Sequence, residues 1–336
     1  MRALVTGGGG FLGQAIVRAL LVRGDGVRSF SRQTHATLDA LGVEQMRGDL
    51  ASTNAVSAAV QGCDVVFHVA AKPGIWGDYA DYFAANVTGT ANVIAACRAH
   101  QVRRLIYTSS PSVVFDGRDM AGVDESVPYP AHYHAHYPRT KALAEQAVRA
   151  ANDAQLATAS LRPHLIWGPG DNHLLPRLAA RAHAGQLRRI GSRPNLIDTV
   201  YVDNAADAHL LAADRLAPGS PVAGKVYFIS QGEPVPMWDM VNRLLDAAGA
   251  PPVTRSVPTG LTMALAAGFE AMHHITGNTA EPPLTRFVVR EMSTAHWFDL
   301  SAARRDLGYA PRVPIAEGLE RLRQALRTAP LPPHRT

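Results

Sequence analysis

Arg2-Ala3-Leu4-Val5-Thr6-Gly7-Gly8-Gly9-Gly10-Phe11-Leu12-Gly13 is the stretch on which the reading of the fold turns. Arg2 to Thr6 is a short apolar run of strand type, Gln14 to Arg23 has helical periodicity and stops at Gly24, and the glycines lie between them. Gly7, Gly10 and Gly13 keep the spacing G-x-x-G-x-x-G, with Phe11 and Leu12 inside the turn. Glycine lets the backbone approach a ligand closely, and the free N–H groups at a helix N-terminus then face an anion such as a pyrophosphate. Strand, glycine turn and helix in that order make half of a βαβ unit.

Outward from this unit, Val27 to Phe30, Val43 to Met46, Asp64 to Val69 and Arg104 to Ser109 read as further strands, with helical stretches between most of them. This alternation predicts an α/β fold built on a doubly wound parallel (Rossmann) sheet. Asn86 to His100 and Thr140 to Asn152 are the clearest middle helices, and Leu156 to Arg162 is a buried strand stopped by Pro163. Beyond Pro163, closely spaced prolines break the chain into short elements, which predicts a small irregular C-terminal substrate lobe. The expected division is 1–165 mainly dinucleotide-binding, 166–328 mainly lobe with segments returning to the sheet, and 329–336 a disordered tail.

Composition narrows the function class. The 336 residues are 47% hydrophobic and 18% charged, an ordinary globular balance. A net charge of +5 invites a nucleic-acid reading, yet the 33 Lys and Arg residues are scattered without basic runs or interleaved aromatics, so no nucleic-acid partner is expected. The first apolar run is too short for a signal peptide, and Leu261 to Phe269 is about half of a membrane span, so no integral membrane segment is expected. Two cysteines, Cys63 and Cys97, suit neither a disulfide framework nor a metal site and point to the cytoplasm.

An NAD-preferring unit usually ends its second strand in an acidic residue that holds the ribose hydroxyls. Here Ser31 and Arg32 stand in that place, and a hydroxyl with a guanidinium suits the 2′-phosphate of NADP(H). Asp49 and Leu50 would bracket the adenine, with a helix cap as the other reading of Asp49, and Ala70 and Ala71 would let the cofactor pass closely.

Tyr137-Pro138-Arg139-Thr140-Lys141 is a Y-x-x-x-K pattern whose spacing points both side chains along one helix face. An ammonium about 5 Å from a phenol at effective dielectric ~20 favours the phenolate by roughly 3 kcal/mol, about two pKa units. Lys141 is therefore expected to lower Tyr137 and to hold the nicotinamide ribose. Thr108-Ser109-Ser110-Pro111-Ser112 follows the fifth strand, where a doubly wound fold binds ligands, and Ser110 is the chosen partner of the substrate carbonyl, with Ser109 and Ser112 as rivals.

These residues, together with Asn86-Val87-Thr88-Gly89-Thr90 and Leu161-Arg162-Pro163, resemble the extended short-chain dehydrogenase/reductases over nearly the whole chain. The resemblance implies catalytic roles for Ser110, Tyr137 and Lys141, and a cofactor site that also takes in Lys72 and Pro163. His68-Val69-Ala70-Ala71-Lys72, Tyr107 to Val113 and Trp167-Gly168-Pro169-Gly170-Asp171 look like its 3β-hydroxysteroid dehydrogenase branch. Gly74-Ile75-Trp76-Gly77, Asp198 to Asn204, Gly232 to Met237 and Glu281 to Arg286 are similar to bacterial ketoreductases of that branch. That likeness implies NADPH-dependent reduction of a long-chain 2-alkyl-3-keto acid in olefin biosynthesis, with association with other enzymes of that process. A 3β-hydroxysteroid or carboxysterol dehydrogenase, a nucleotide-sugar epimerase and a non-catalytic NADP-sensing protein are the alternatives. Purified protein without bound NAD would argue against the epimerase, and the complete Ser110, Tyr137 and Lys141 set argues against the sensor.

Three further features remain. His132, His134 and His136 would share one face of an extended segment, and a loop at the substrate mouth is favoured there over a metal site. Leu261 to Ile275, with Met263, Phe269 and Met272, reads as a core helix first, then as an acyl-chain pocket or a docking helix. The helices around Asn86 to His100 and Thr140 to Asn152 are expected to form a homodimer interface, with Leu143 or Val148 near the axis.

Overall fold

The computed structural model describes residues 1–329 and 331. Strands β1 (Arg2–Thr6), β2 (Gly26–Ser31), β3 (Glu44–Arg47), β4 (Val65–His68), β5 (Arg104–Thr108), β6 (Ala157–Pro163) and β7 (Val226–Ile229) form one seven-stranded sheet in the order β7-β6-β5-β4-β1-β2-β3. Every neighbouring pair is parallel. The order reverses between β1 and β4, and this switch point is where a doubly wound sheet opens a crevice at its carboxyl edge.

Both faces of the sheet are covered, so its central strands are buried on both sides: all four residues of β4 and all seven of β6 are buried. Side chains alternate between two cores. Ala3 and Val5 point into one with Ile16 and Leu20, while Leu4 points into the other with Val56, Val93 and Val148. Helices α1 (Phe11–Val22), α2 (Thr53–Val60), α3 (Gly89–Ala99), α4 (His136–Ala150) and α5 (Val202–Arg215) supply those covers.

Two helix starts differ from the sequence reading. Helix α1 begins at Phe11, so Phe11, Leu12 and Gly13 form its first turn. Helix α4 begins at His136, four residues earlier than expected, because Pro138 falls in the first turn, where a missing N–H costs no hydrogen bond. Tyr137 therefore stands on the helix. The expected helix from Asn86 is continuous back to Tyr79 through a π-helical segment, Phe83–Thr88.

After Pro163 the pieces shorten to strands such as Leu196–Ile197, Val235–Pro236 and His296–Phe298, which join the earlier strand Met120–Val123 in a separate four-stranded sheet. β7 and α5 return to the main sheet. Buried polar anchors hold these segments together. Asp198 accepts from Ser230 Oγ and Gly232 N, both 2.8 Å, and Asn204 donates to Gln231 Oε1 (3.1 Å) and the Val313 carbonyl (2.8 Å). Apart from Ala329 and Leu331, the stretch expected to be a disordered tail lies outside the described residues.

Helix α6 (Thr259–Thr276) corrects the core-helix expectation. It buries Thr262, Ala266, Glu270 and His273 while Leu261, Leu265, Met272 and Ile275 face outward, because Glu270 turns inward to accept from Arg286 N (2.7 Å) and Nε (2.6 Å). No described helix is long and apolar enough to cross a membrane. Val148 is also corrected as an interface residue: it is fully buried in the second core, whereas Leu143 is exposed.

Candidate active site

The glycine turn is shaped by close approach. Gly7 has φ +69° and lies so near Ala70 that a Cβ would stand 3.0 Å from its Cα, and a Cβ on Gly13 would stand 2.1 Å from the Gly7 carbonyl oxygen. Gly7 N donates to the Phe30 carbonyl (2.8 Å) and Gly10 N to the Gly7 carbonyl (2.9 Å), which fixes the turn against β2. Gly10 caps α1 with no side-chain bond, so the first-turn N–H groups of a twelve-residue helix face the crevice without a side-chain partner. Ser31 Oγ at the end of β2 is buried without a hydrogen-bond partner, and Arg32 beside it is exposed. A cradle that a Cβ would fill, an uncapped helix start and an orphaned hydroxyl together fit a dinucleotide.

Other members of the expected cofactor set divide. Ala70 lies against Gly7, and Pro163 ends β6 opposite Ile229. Asp49 is exposed, and its Oδ1 caps Ala51 N (2.8 Å); Leu50 packs against Gly89. The Lys72 assignment needs correcting at the side chain: its ammonium pairs with Asp81 (2.6 Å), and its backbone N–H donates to Asn86 Oδ1 (2.7 Å).

Ser110, at the carboxyl end of β5, caps the short helix Pro111–Val114, and its Oγ lies 2.9 Å from Ser112 Oγ. Tyr137 comes from the first turn of α4. Burial and the neighbouring Tyr82 push its phenol up to about 12, while a hydrogen bond with Ser110 pulls the other way. Ser110 and Ser112 are bonded to each other through their hydroxyls, and Ser109 Oγ is buried without a hydrogen-bond partner. Lys141 Nζ donates to the Thr108 carbonyl (2.5 Å) and sits 4.1 Å from the centre of the Tyr107 ring. Burial lowers Lys141 to about 7 against a smaller pull from Glu145. The expected lowering of Tyr137 by Lys141 is thus overturned. The i,i+4 spacing does bring the two residues to one helix face, but burial penalises both charged forms, and the Thr108 carbonyl draws Nζ.

Residues that the sequence reading left without a role hold this set in place. Asn86 Nδ2 donates to Thr140 Oγ1 (3.0 Å) on α4. His68, buried and lowered to about 3, bridges Thr6 Oγ1 (2.8 Å) and Thr90 Oγ1 (2.9 Å), and Thr6 Oγ1 in turn accepts from Ala70 N (3.2 Å). Glu145, one turn beyond Lys141, takes Arg162 through two bonds (2.6 and 2.9 Å) and Tyr129 OH (2.6 Å). The Arg162 contact holds the carboxyl below its usual range against the burial that would raise it. The periodicity of α4, with Glu145 buried four residues after Lys141, was the available signal.

The three histidines do not converge. His134 Nε2 lies 3.3 Å from the Asp116 carbonyl, whereas the His136 ring packs on Tyr79 (5.3 Å) and Tyr82 (6.2 Å). Tyr82 OH donates to the Trp76 carbonyl (3.0 Å), and Trp76 meets His274 of α6 at 4.9 Å. An aromatic strap therefore runs from His136, next to Tyr137, to the lobe.

The model of the 3-beta hydroxysteroid dehydrogenase/isomerase family matches residues 4–258 of this sequence. The chain belongs to that family. Among relatives of this dehydrogenase-family chain, a 2-alkyl-3-oxoalkanoate reductase of Stenotrophomonas maltophilia is 53% identical over 326 residues, 96% of this chain and 98% of that one. The 2-alkyl-3-oxoalkanoate reductase of Shewanella oneidensis is 48% identical over 332 residues, 96% of this chain and 86% of its own. MoeE5, solved in complex with UDP-glucose and NAD, has a TM-score of 0.74 at 25% identity and covers 98% of this chain and 99% of its own. This family member is an oxidoreductase with a Rossmann sheet, and its crevice takes a nicotinamide cofactor.

Proposed function

We propose that this chain is a ketoreductase that uses NADPH to convert long-chain 2-alkyl-3-oxoalkanoic acids to 2-alkyl-3-hydroxyalkanoic acids, a step of olefin biosynthesis. One observation carries the reading. The chain is 53% identical, over almost its whole length, to a reductase of that name, and it carries Ser110 after β5 and Tyr137 and Lys141 on α4, with the Lys141 ammonium bonded to the carboxyl end of β5. When bound, NADPH would supply the hydride that reduces the keto carbon. Tyr137, held up to about 12, keeps its proton at neutral pH and gives it to the carbonyl oxygen as negative charge develops there. Ser110 would hydrogen-bond that same oxygen and orient it, and Lys141 would hold the nicotinamide ribose. Ketone, NADPH and one proton thus become alcohol and NADP⁺.

Ser31 and Arg32 support NADPH over NADH, because no carboxylate stands at the end of β2 to hold the ribose hydroxyls or repel a 2′-phosphate. The exposed Leu143 on α4 supports a C₂ homodimer, and the buried free thiols of Cys63 and Cys97 suit a reducing cytoplasm. Association with other olefin-biosynthesis enzymes belongs to the same reading.

The test compares NADPH and NADH consumption with a long-chain 2-alkyl-3-keto acid, a 3-ketosteroid and a UDP-sugar, with products identified by mass spectrometry. The keto acid with NADPH is expected to give the highest kcat/KM. A steroid turned over faster than the keto acid would overturn the reading.

A further inference from the structure

A second cluster of chemistry-bearing side chains lies where the sheet meets the lobe. His164 follows Pro163 at the end of β6; Glu291 belongs to α7 (Arg286–Ser293), and His296 to the strand His296–Phe298. Each offers one ligand atom, and these atoms all lie within 4.8 Å of one another. Both histidines are buried, and their rings stack at 5.6 Å with an interplanar angle of 23°.

Hydrogen bonding leaves this cluster with more acceptors than donors. His164 Nδ1 sits 2.7 Å from the Asp198 carbonyl, which can only accept, so Nδ1 carries the proton and Nε2 keeps its lone pair. His296 Nε2 lies 2.8 Å from Thr294 Oγ1, whose own proton goes to the Arg290 carbonyl at 2.7 Å. Nε2 must then donate to that hydroxyl, which leaves Nδ1 with the free lone pair. Asp198 also ties the two together, because its N–H donates to the His296 carbonyl (2.8 Å). Among the described residues, no hydrogen-bond donor or cation faces the Glu291 carboxyl. Each ring thus has one nitrogen committed to protein and one left over, and with a ring nitrogen of each histidine and a carboxyl oxygen within 4.8 Å of one another a single carboxyl proton could satisfy only one imidazole.

We propose that His164, Glu291 and His296 form a binding site for a divalent transition-metal ion of zinc type. Two neutral imidazoles and a carboxylate are a donor set that zinc takes. Each ring is already held by a carbonyl or hydroxyl on its far nitrogen, the arrangement that orients metal-binding histidines. A tetrahedral zinc with bonds of roughly 2.0–2.1 Å sets its ligands about 3.4 Å apart, so closure asks for about an ångström of side-chain movement. Three protein ligands leave a fourth position for solvent. The ion would clasp the lobe, through α7 and the strand beside it, to the end of β6. The proposal stands independently of the substrate.

The test uses the full-length protein purified without chelator, zinc analysis by mass spectrometry, and Co²⁺ titration followed by visible absorption. About one ion per chain is expected, with Co²⁺ bands of four-coordinate strength and a melting temperature that rises on adding Zn²⁺ and falls with a chelator. Glu291→Gln, close in shape, should weaken Co²⁺ binding at least tenfold, and Thr294→Val, which frees the outer nitrogen of His296, by about 10- to 100-fold. Retention of less than about a tenth of an equivalent of any of Zn²⁺, Co²⁺ or Mn²⁺ with no shift in melting would overturn the proposal, as would binding that both variants leave unchanged.

Discussion

The nucleotide half and the lobe reach rigidity by different means. In the first, seven parallel strands share one ladder, and helices pack over both faces, so most backbone groups are satisfied by regular structure. In the lobe the strands are two to four residues long, and buried side chains close the hydrogen bonds instead: Asp198 takes Ser230 and Gly232, and Asn204 takes Gln231 and Val313. The lesson is that precision in the first half rests on a continuous sheet, while in the second it rests on a few polar residues. The catalytic set sits on the sheet side, and the aromatic strap from Trp76 to His274 reaches it from the lobe.

If that contrast is right, chemistry and stability should separate on the sheet side. Tyr137→Phe removes only the proton donor. Turnover should fall by about 10²–10⁴-fold with cofactor affinity unchanged by fluorescence titration, and near-normal turnover would remove Tyr137 from the mechanism. Glu145→Ala leaves the buried Arg162 guanidinium uncompensated, which should cost about 3–5 kcal/mol in urea unfolding; a cost below about 1 kcal/mol would show that the pair is not structural. Asp198→Ala, the lobe counterpart, orphans several hydrogen-bond donors at once and should cost about 1–3 kcal/mol, with KM raised more than kcat is lowered. A cost below about 1 kcal/mol at Asp198 would remove the polar anchor from the account of the lobe.

Two smaller effects sharpen it. Arg32→Ala should lower kcat/KM for NADPH about tenfold or more while sparing NADH, and equal losses would remove the guanidinium from 2′-phosphate recognition. The last is a pH effect. Lys141 has a folded-state value of about 7 against an ordinary 10.5, so between these pH values the unfolded chain binds more protons and stability rises with pH. In cofactor-free protein, Lys141→Met should flatten that rise, as read from urea midpoints between pH 7 and 9.5.

Much was legible in the sequence because it depends on local chemistry. The run from Arg2 to Gly13 encodes a strand, a turn that only glycine tolerates and a helix start, each set by neighbours along the chain. The absence of an acidic residue at Ser31–Arg32 and the Tyr137–Lys141 spacing were equally local. What the tertiary structure alone decided is how those groups are solvated and paired. The spacing of Tyr137 and Lys141 suggested an ammonium lowering a phenol, but burial raises one and lowers the other, and the Thr108 carbonyl comes from a strand far away in sequence. Val148 and the apolar residues of α6 carry no mark in sequence to say which would be covered. Val148 is buried among β-strand residues, whereas the Glu270–Arg286 bond turns the Leu261 face of α6 outward. His164, Glu291 and His296 lie far apart along the chain and meet only because β6 ends against the lobe. Backbone conformation answers to adjacent residues, while charge, burial and ligand geometry answer to whatever the fold brings within a few ångströms.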